Sequence, residues 1–315
     1  MIRYLIRRLP SIAVVIFLAS IVAFLLPRLA PGDPAVILAG NDADPDVIAA
    51  IRKDVGLDRP LVVQYLSWVA GIFRGDLGIS LVNKRPISEL ILNRAESTLE
   101  LAGLAALFMI ILALILGVLG GSLRSKFGRA LLDVVSTTMV SMPAFLVGLI
   151  LIVVFGVILK VLPVSGQLNM SEDFWGGLEY LLLPAIAIAL SHAAVIARLL
   201  QTSMLTNRGE EYVDLAVVKG ASPTRITFRH VLPASLDTAI VAIGLRIGEL
   251  IGGAIIIEAI FSRSGLGQLM IQSINTRDYF VVQALVIGAV IIAIVSQLIS
   301  EIVVASLDPR IRLEA

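Results

Sequence analysis

Thr238 to Ile257 is an apolar run broken by two formal charges, Arg246 and Glu249. A charge deep in a bilayer costs on the order of a few kcal/mol unless it is paired or faces water. Three residues apart on a helix, these two side chains can neutralise each other. Alternatively, one or both line a polar path through the membrane, where a carboxylate meets an amino group or a metal cation and a guanidinium meets a carboxylate. Spacing alone leaves both readings open. The same run carries Gly244, Gly248 and Gly252 at intervals of four. Three hydrogens in place of side chains along one face let another helix approach closely. That neighbour is either a helix of this chain or one of a second subunit. At about 100° per residue the glycine face lies roughly opposite the two charges.

Other chemistries find no support. The chain has no cysteine, hence no disulfide, thiolate nucleophile or zinc–thiolate site. Its two histidines, His192 and His230, are far apart in sequence. His192 stands among alanines and reads as a hydrogen-bonded structural residue, His230 as a surface residue. No Gly-x-x-x-x-Gly-Lys-Ser/Thr phosphate loop, Gly-x-Ser-x-Gly elbow or His-Glu-x-x-His zinc motif occurs. The residues therefore offer no means of hydrolysing ATP and no enzymatic constellation. A net charge of +1 gives no argument for nucleic acid.

The elements that must position Arg246 and Glu249 are membrane helices. Of 315 residues, 58% are hydrophobic and 16% charged, whereas a soluble domain is nearer a quarter charged. Arg3, Arg7 and Arg8 precede an uncharged stretch, Leu9–Pro27, longer than a signal-peptide core and followed by Pro27-Arg28-Leu29. It reads as a retained first span. A span needs roughly 20 apolar residues. Five further segments qualify: Leu101–Leu123, Val134–Leu159, Tyr180–Ala197, Thr238–Ile257 and Phe280–Ser300. The expected fold is an all-α membrane protein with six spans. Basic residues in short loops set the orientation. Arg3, Arg7 and Arg8, then Arg124, Lys126 and Arg129, then Arg198, Arg208, Lys219, Arg225 and Arg229, and finally Arg310 and Arg312 fall on one side, the cytoplasm. Both termini then lie in the cytoplasm.

Residues 1–30 form the first-span segment and 31–98 an external one, too polar to be embedded. Residues 99–306 form the main membrane domain, and 307–315 a cytoplasmic tail. Within the external segment, Asp46–Lys53 and Pro60–Phe73 read as short helices, the second with Leu61, Tyr65, Trp68 and Ile72 on one stripe. Pro31-Gly32-Asp33-Pro34, Gly56-Leu57-Asp58-Arg59-Pro60 and Gly75-Asp76-Leu77-Gly78 are turn signals. Glu258, Arg277 and Asp278 fall at the external end and are expected to shape the mouth or a docking surface.

Between the fourth and fifth spans, residues 210–233 are polar and about as long as a helical hairpin. A first helix ends at Gly220, and a second starts with Ser222 as N-cap and Pro223 at its first position. Tyr212, Leu215, Ala216 and Lys219 share one face of the first. Such a hairpin can dock into a groove of a soluble partner.

This hairpin resembles the cytoplasmic coupling motif of bacterial ABC importer permeases: Glu-Ala-Ala, three residues, Gly, nine residues, Ile-x-Leu-Pro. Asp214 stands at the Glu position, Leu215 and Ala216 at the two Ala positions, Gly220 at the Gly and His230 at the Ile, and Leu232 and Pro233 close the motif. Tyr212, Val213, Ala216, Lys219 and Gly220 match the variant of the dipeptide, oligopeptide and nickel permeases. Further fragments resemble the family in order: Ser141-Met142-Pro143-Ala144-Phe145; Ala197-Arg198, then Ser203-Met204-Leu205; Glu258-Ala259-Ile260-Phe261; Gly265-Leu266-Gly267; Arg277-Asp278-Tyr279 with Val282-Gln283; and Asp308-Pro309-Arg310-Ile311-Arg312. Ser264 and Phe280 depart from a commoner proline.

The resemblance implies a permease subunit working by alternating access, paired with a homologous second permease. It implies two cytoplasmic ATPases, which bind ATP and Mg in its stead, and an external substrate-binding protein. Tyr212, Asp214, Leu215, Ala216, Lys219, Gly220, His230, Leu232 and Pro233 would couple to the ATPases. Gly244, Gly248 and Gly252 would lie near the permease–permease contact. Peptide is the first expected cargo. A nickel chelate is the alternative, because Ile247-Gly248-Glu249-Leu250-Ile251-Gly252-Gly253 resembles the nickel branch. An ion-coupled secondary transporter would also use intramembrane charge, but it would not need the hairpin.

Overall fold

The computed structural model describes residues 2–29, 33–40, 43–123 and 125–307. Arg124, Pro31-Gly32 and the 308–315 tail, with Arg310 and Arg312, lie outside them. The chain begins with α1 (Ile2–Leu29), α2 (Pro34–Ala39), α3 (Pro45–Asp54) and α4 (Leu61–Phe73). α5 (Ile87–Ser122), α6 (Lys126–Ser141) and α7 (Ala144–Leu151) follow, α7 running into a π-helical stretch, Ile152–Ile158. Then come α8 (Phe174–Asn207), α9 (Glu211–Val218) and α10 (Pro223–Arg225). A second π-helical stretch, Ile226–Val231, leads into α11 (Leu232–Ile260), and α12 (Leu266–Asn275) and α13 (Tyr279–Leu307) end the order. The only β pairing among the described residues is a bridge between Ile79 and Pro86.

Among the described residues, four helices are long and apolar enough to cross a membrane: Ile87–Ser122, Phe174–Asn207, Pro223–Ile260 and Tyr279–Ile299. The first three are longer than the apolar stretches expected of them, and the fourth matches its stretch to within one residue at each end. The third expected span, Val134–Leu159, is not one straight helix. α6 and the helix beginning at Ala144 meet at 103°. Pro143 explains the break. Its ring disfavours helical geometry in the residue before it, and Met142 is extended at φ −86, ψ 121. Pro143 then fits the start of the next helix, as its fixed φ allows.

The chain forms two packed units. One comprises Thr98–Arg263 with the described residues from Ala293 onward. α8 is its central post. Asp173 caps it by accepting from the Trp175 and Gly176 amides. Leu181, Ala185, Ile188, Ala189, Ile196 and Leu200 are buried in the core it shares with α5, α7 and α11. Small residues set the closeness of the α5–α8 contact. A Cβ on Gly117 would fall 2.8 Å from Leu200 Cδ2, on Gly120 2.5 Å from Gln201 Oε1, and on Gly121 2.7 Å from Met204 Cβ. Only hydrogens fit there.

Glu258, expected near the mouth, is fully buried in this unit and accepts a 2.6 Å hydrogen bond from Thr98 Oγ1. Arg263 is also fully buried, with Nη2 3.8 Å from Glu100 Oε2. Burial lowers its pKa, opposed by Glu100 and Glu258. Glu100 meanwhile accepts from the Met170 amide at 2.8 Å.

The second unit comprises Ile2–Ser97 and Ser264–Ile292. Asp278 is buried here, not displayed. Its carboxylate accepts from Ser80 Oγ and from the Leu81 and Val82 amides at 3.2 and 3.3 Å. A carboxylate that fills its lone pairs with neighbouring donors can be buried, because the hydrogen bonds replace those it made with water. Capping shapes the short helices: Asp44 accepts from the Asp46 amide, and Pro45 opens α3. α3 and α4 form at the expected places.

Candidate functional site

The hairpin between α8 and α11 is built from its turn outward. α9 ends at Val218 with Lys219 as its C-cap, and Gly220 follows in the left-handed conformation at φ +77. The Gly220 amide donates to the Val217 carbonyl at 2.9 Å and the Ala221 amide to the Ala216 carbonyl at 3.0 Å. These two bonds form a Schellman cap, which satisfies carbonyls that the ending helix leaves open. Ser222 accepts from the Arg225 amide at 3.3 Å, and Pro223 is the first helical residue. Stop and start are both where the residue types place them.

The second arm is longer than a short helix. From Pro223 it continues through the π-helical turn into α11, unbroken to Ile260. The Leu232 amide reaches back five residues to the Thr227 carbonyl. Pro233, next in line, has no N–H, and its ring would press on the carbonyl four residues back in a regular α-helix. The wide turn stands just ahead of that obstacle.

Two residues with no signal in the motif fasten the arms together. Asn207, the last residue of α8, donates from Nδ2 to Ser235 Oγ at 2.9 Å and to the Ala234 carbonyl at 3.3 Å. Arg208 Nη2 donates to Thr227 Oγ1 at 2.7 Å. The hairpin is thus clamped at its base.

Its outer surface is apolar and of mixed charge, with Glu210, Glu211 and Asp214 exposed beside Lys219 and Arg225. Val213 and Ala216 are buried, while Tyr212, Leu215, Val217 and Val218 are exposed. Tyr212, Leu215, Lys219, Gly220, Arg225 and His230 border a cleft of about 420 Å³. The structure therefore gathers most of the motif around one concavity. Burial, then the charge of Glu210, push the Tyr212 phenol above its ordinary pKa. Asp214 is exposed on the same helix, and Leu232 and Pro233 begin α11.

Further along α11, Arg246 Nη1 donates to Glu249 Oε2 at 2.5 Å. His192 of α8 approaches the same oxygen, Nδ1 to Oε2 3.6 Å. The pair is not sealed: its side chains keep 34% and 50% of their exposure. Leu199, Ala242, Leu245, Arg246, Glu249 and Gln297 border a cleft of about 560 Å³. Ion pair and cleft wall are therefore made by the same two side chains.

The glycine face of α11 divides. A Cβ on Gly248 would lie 3.4 Å from Ser296 Cβ of α13, an ordinary contact within the chain. On Gly252 it would meet nothing within 4 Å. Gly244 lies on the same helix.

Comparison with known proteins decides the class. Residues 109–313 match the family described as binding-protein-dependent transport system inner membrane component, and residues 1–102 match its N-terminal companion. The chain belongs to this family. It is an ABC importer inner-membrane permease, a multi-pass transport subunit. Among relatives of this permease, the glutathione transport system permease protein GsiC of Escherichia coli (strain K12) is 33% identical over 312 residues, 99% of each chain. GsiC of Salmonella typhimurium (strain LT2) has the same identity and coverage. A solved structure of the inward-facing MetNI methionine ABC transporter superposes with a TM-score of 0.56. It covers 70% of this permease and 96% of that chain at 18% identity, which shows a shared fold.

Proposed function

We propose that this permease pairs with a homologous second one to carry small peptides inward across the cytoplasmic membrane by alternating access, driven by ATP hydrolysis in two separate ATPases. The observation that carries this reading is the hairpin at 210–233: a capped, clamped helical turn with an exposed cleft lined by apolar and basic side chains, joined without a break to a membrane-length helix. It supports docking of an ATPase at Tyr212, Asp214, Leu215, Ala216, Lys219, Gly220 and His230, with Leu232 and Pro233 leading into the moving helix. ATP and Mg bind to that partner. Four long apolar helices and the bent pair account for up to five spans; the six-span reading adds α1, whose apolar part is the shorter Pro10–Leu26, and the distribution of basic residues supports cytoplasmic termini. An external binding protein delivers the cargo.

Peptide cargo is supported by the relatives, whose name assigns them to glutathione transport, glutathione being a small peptide. Arg246 and Glu249 offer one charge of each sign, as the two ends of a peptide require. The test is reconstitution of this chain with the second permease, ATPases and binding protein encoded by neighbouring genes. The expected result is ATP-dependent uptake of short peptides that needs every component. Uptake by this chain alone, driven by an ion gradient, would replace the reading with secondary transport. Nickel uptake without peptide uptake would change the cargo and leave the class intact.

A further inference from the structure

α4 is uncharged from Leu61 to Phe73, yet none of its residues is buried. Apart from Gln64 and Ser67 its residues are apolar or aromatic, and so much exposed apolar surface needs an apolar surrounding. One stripe, with Tyr65 and Trp68, meets α1. The other runs Val62, Leu66, Val69, Phe73 at i, i+4, i+7 and i+11 and faces away. Val62 is 68% exposed, Leu66 59% and Phe73 87%.

The contacts with α1 fix the depth. Arg28, near the end of α1, donates to Gln64 at 3.0 Å. Further into α1, Phe24 meets the Tyr65 and Trp68 rings at 5.4 and 5.9 Å. Ser20 Oγ and Tyr65 OH share a 2.7 Å hydrogen bond. Ser20 and Phe24 belong to the apolar part of α1, Pro10–Leu26, and Ser20 is about 12 Å along the helix from Arg28. On that same part of α1, Phe17, Leu18, Val22, Leu25 and Leu26 are exposed. The outward stripe of α4 continues this apolar surface.

We infer that α4 lies in the outer leaflet of the membrane, its Val62–Leu66–Phe73 stripe against lipid chains. It thus differs from the rest of the segment expected in aqueous solution. At 13 residues, or about 20 Å, it is too short to cross a hydrocarbon core of about 30 Å. The Tyr65 hydroxyl is satisfied by Ser20 within the apolar part of α1, and Trp68 suits the boundary between chains and headgroups. Arg59 and Arg74 bracket the apolar stretch and are exposed, so they can reach lipid phosphates. The inference rests on the six-span reading, in which α1 crosses the bilayer.

The chain has no cysteine, so a single introduced thiol marks one place on it. Nitroxide labels at Val62→Cys, Leu66→Cys and Phe73→Cys are compared with Val22→Cys on α1 and Asp46→Cys on α3. The full complex, with cysteine-free partners, sits in proteoliposomes. Accessibility is read with oxygen, which concentrates in lipid, and with a water-soluble nickel chelate. Oxygen should exceed the chelate several-fold at 62, 66 and 73, as at 22, and the reverse should hold at 46. Binding protein should leave these ratios unchanged. Chelate-accessible labels at 62 and 66 with a lipid-like label at 22 would overturn this inference alone. Labels at 62 and 66 shielded from both probes would also overturn it and point to a protein neighbour. Water-like values at 22 as well would overturn the six-span reading together with it.

Discussion

Arg246 donates to Glu249 one helical turn away, so the two charges of α11 answer each other across 2.5 Å. His192 stands 3.6 Å from the same carboxylate oxygen. If this arrangement only neutralises charge, Arg246→Leu or Glu249→Leu should lower membrane levels, since each strands a charge. The double change should restore both levels and uptake. If the cleft wall meets cargo, Glu249→Gln should assemble at normal abundance and lose uptake. Immunoblots of membranes and uptake of labelled peptides separate the two. Unchanged uptake by Glu249→Gln for every peptide tested would remove its charge from the path.

Gly220→Val should insert and assemble but transport poorly. At φ +77 a non-glycine residue costs on the order of 1–3 kcal/mol, more so when β-branched. The strain falls on the Schellman turn, so it should disturb the docked surface and spare the spans. Cargo-stimulated ATPase activity of the purified complex is the measurement. Activity and uptake at the level of the unsubstituted complex would end the coupling role of this turn.

Gly121→Ala and Gly252→Ala should differ. At Gly121 the new carbon would press on Met204 Cβ, and overpacking of this kind costs about 1–3 kcal/mol. Lower thermal stability of the complex is expected. Gly252→Ala meets nothing within this chain and gains up to about 1 kcal/mol of helix propensity. If α11 faces the second permease at Gly252, the bulkier Gly252→Leu should weaken pairing of the two permeases at normal abundance of this chain. Intact pairing on size exclusion would move the contact elsewhere.

A reporter active only outside the cytoplasm should work when fused after Asp44 or Glu172 and fail after Arg129 or Arg208. Activity after Arg208 would put the hairpin on the wrong side for an ATPase.

The hairpin was legible because its signals are local. Gly220, Ser222 and Pro223 act through their own backbones, whatever surrounds them. The Met142–Pro143 bend leaves a weaker trace, because averaged hydropathy passes smoothly over a change of direction. Glycine spacing shows that a face is small, not what lies against it. Gly244, Gly248 and Gly252 have the tidier interval, yet Gly117, Gly120 and Gly121 lie closer to a neighbouring helix than Gly248 or Gly252 does. Glu258 and Asp278 read as surface charges because their donors, Thr98 and Ser80, lie 160 and 198 residues away in sequence. Asn207 and Arg208 likewise act through partners that only folding brings near.

The unbroken run from Pro223 to Ile260 has a mechanical meaning. Arg246 follows Pro223 by 23 residues, about 35 Å at the rise of an α-helix. The helix between them is continuous, passing through the π-helical turn Ile226–Val231. Each five degrees of tilt about the hairpin end sweeps the charged pair sideways by roughly 3 Å over that arm. Arg246 and Glu249 ride the same helix and keep each other, while His192 stays with α8, so a small rotation at one end is enough leverage to redraw the polar wall at the other.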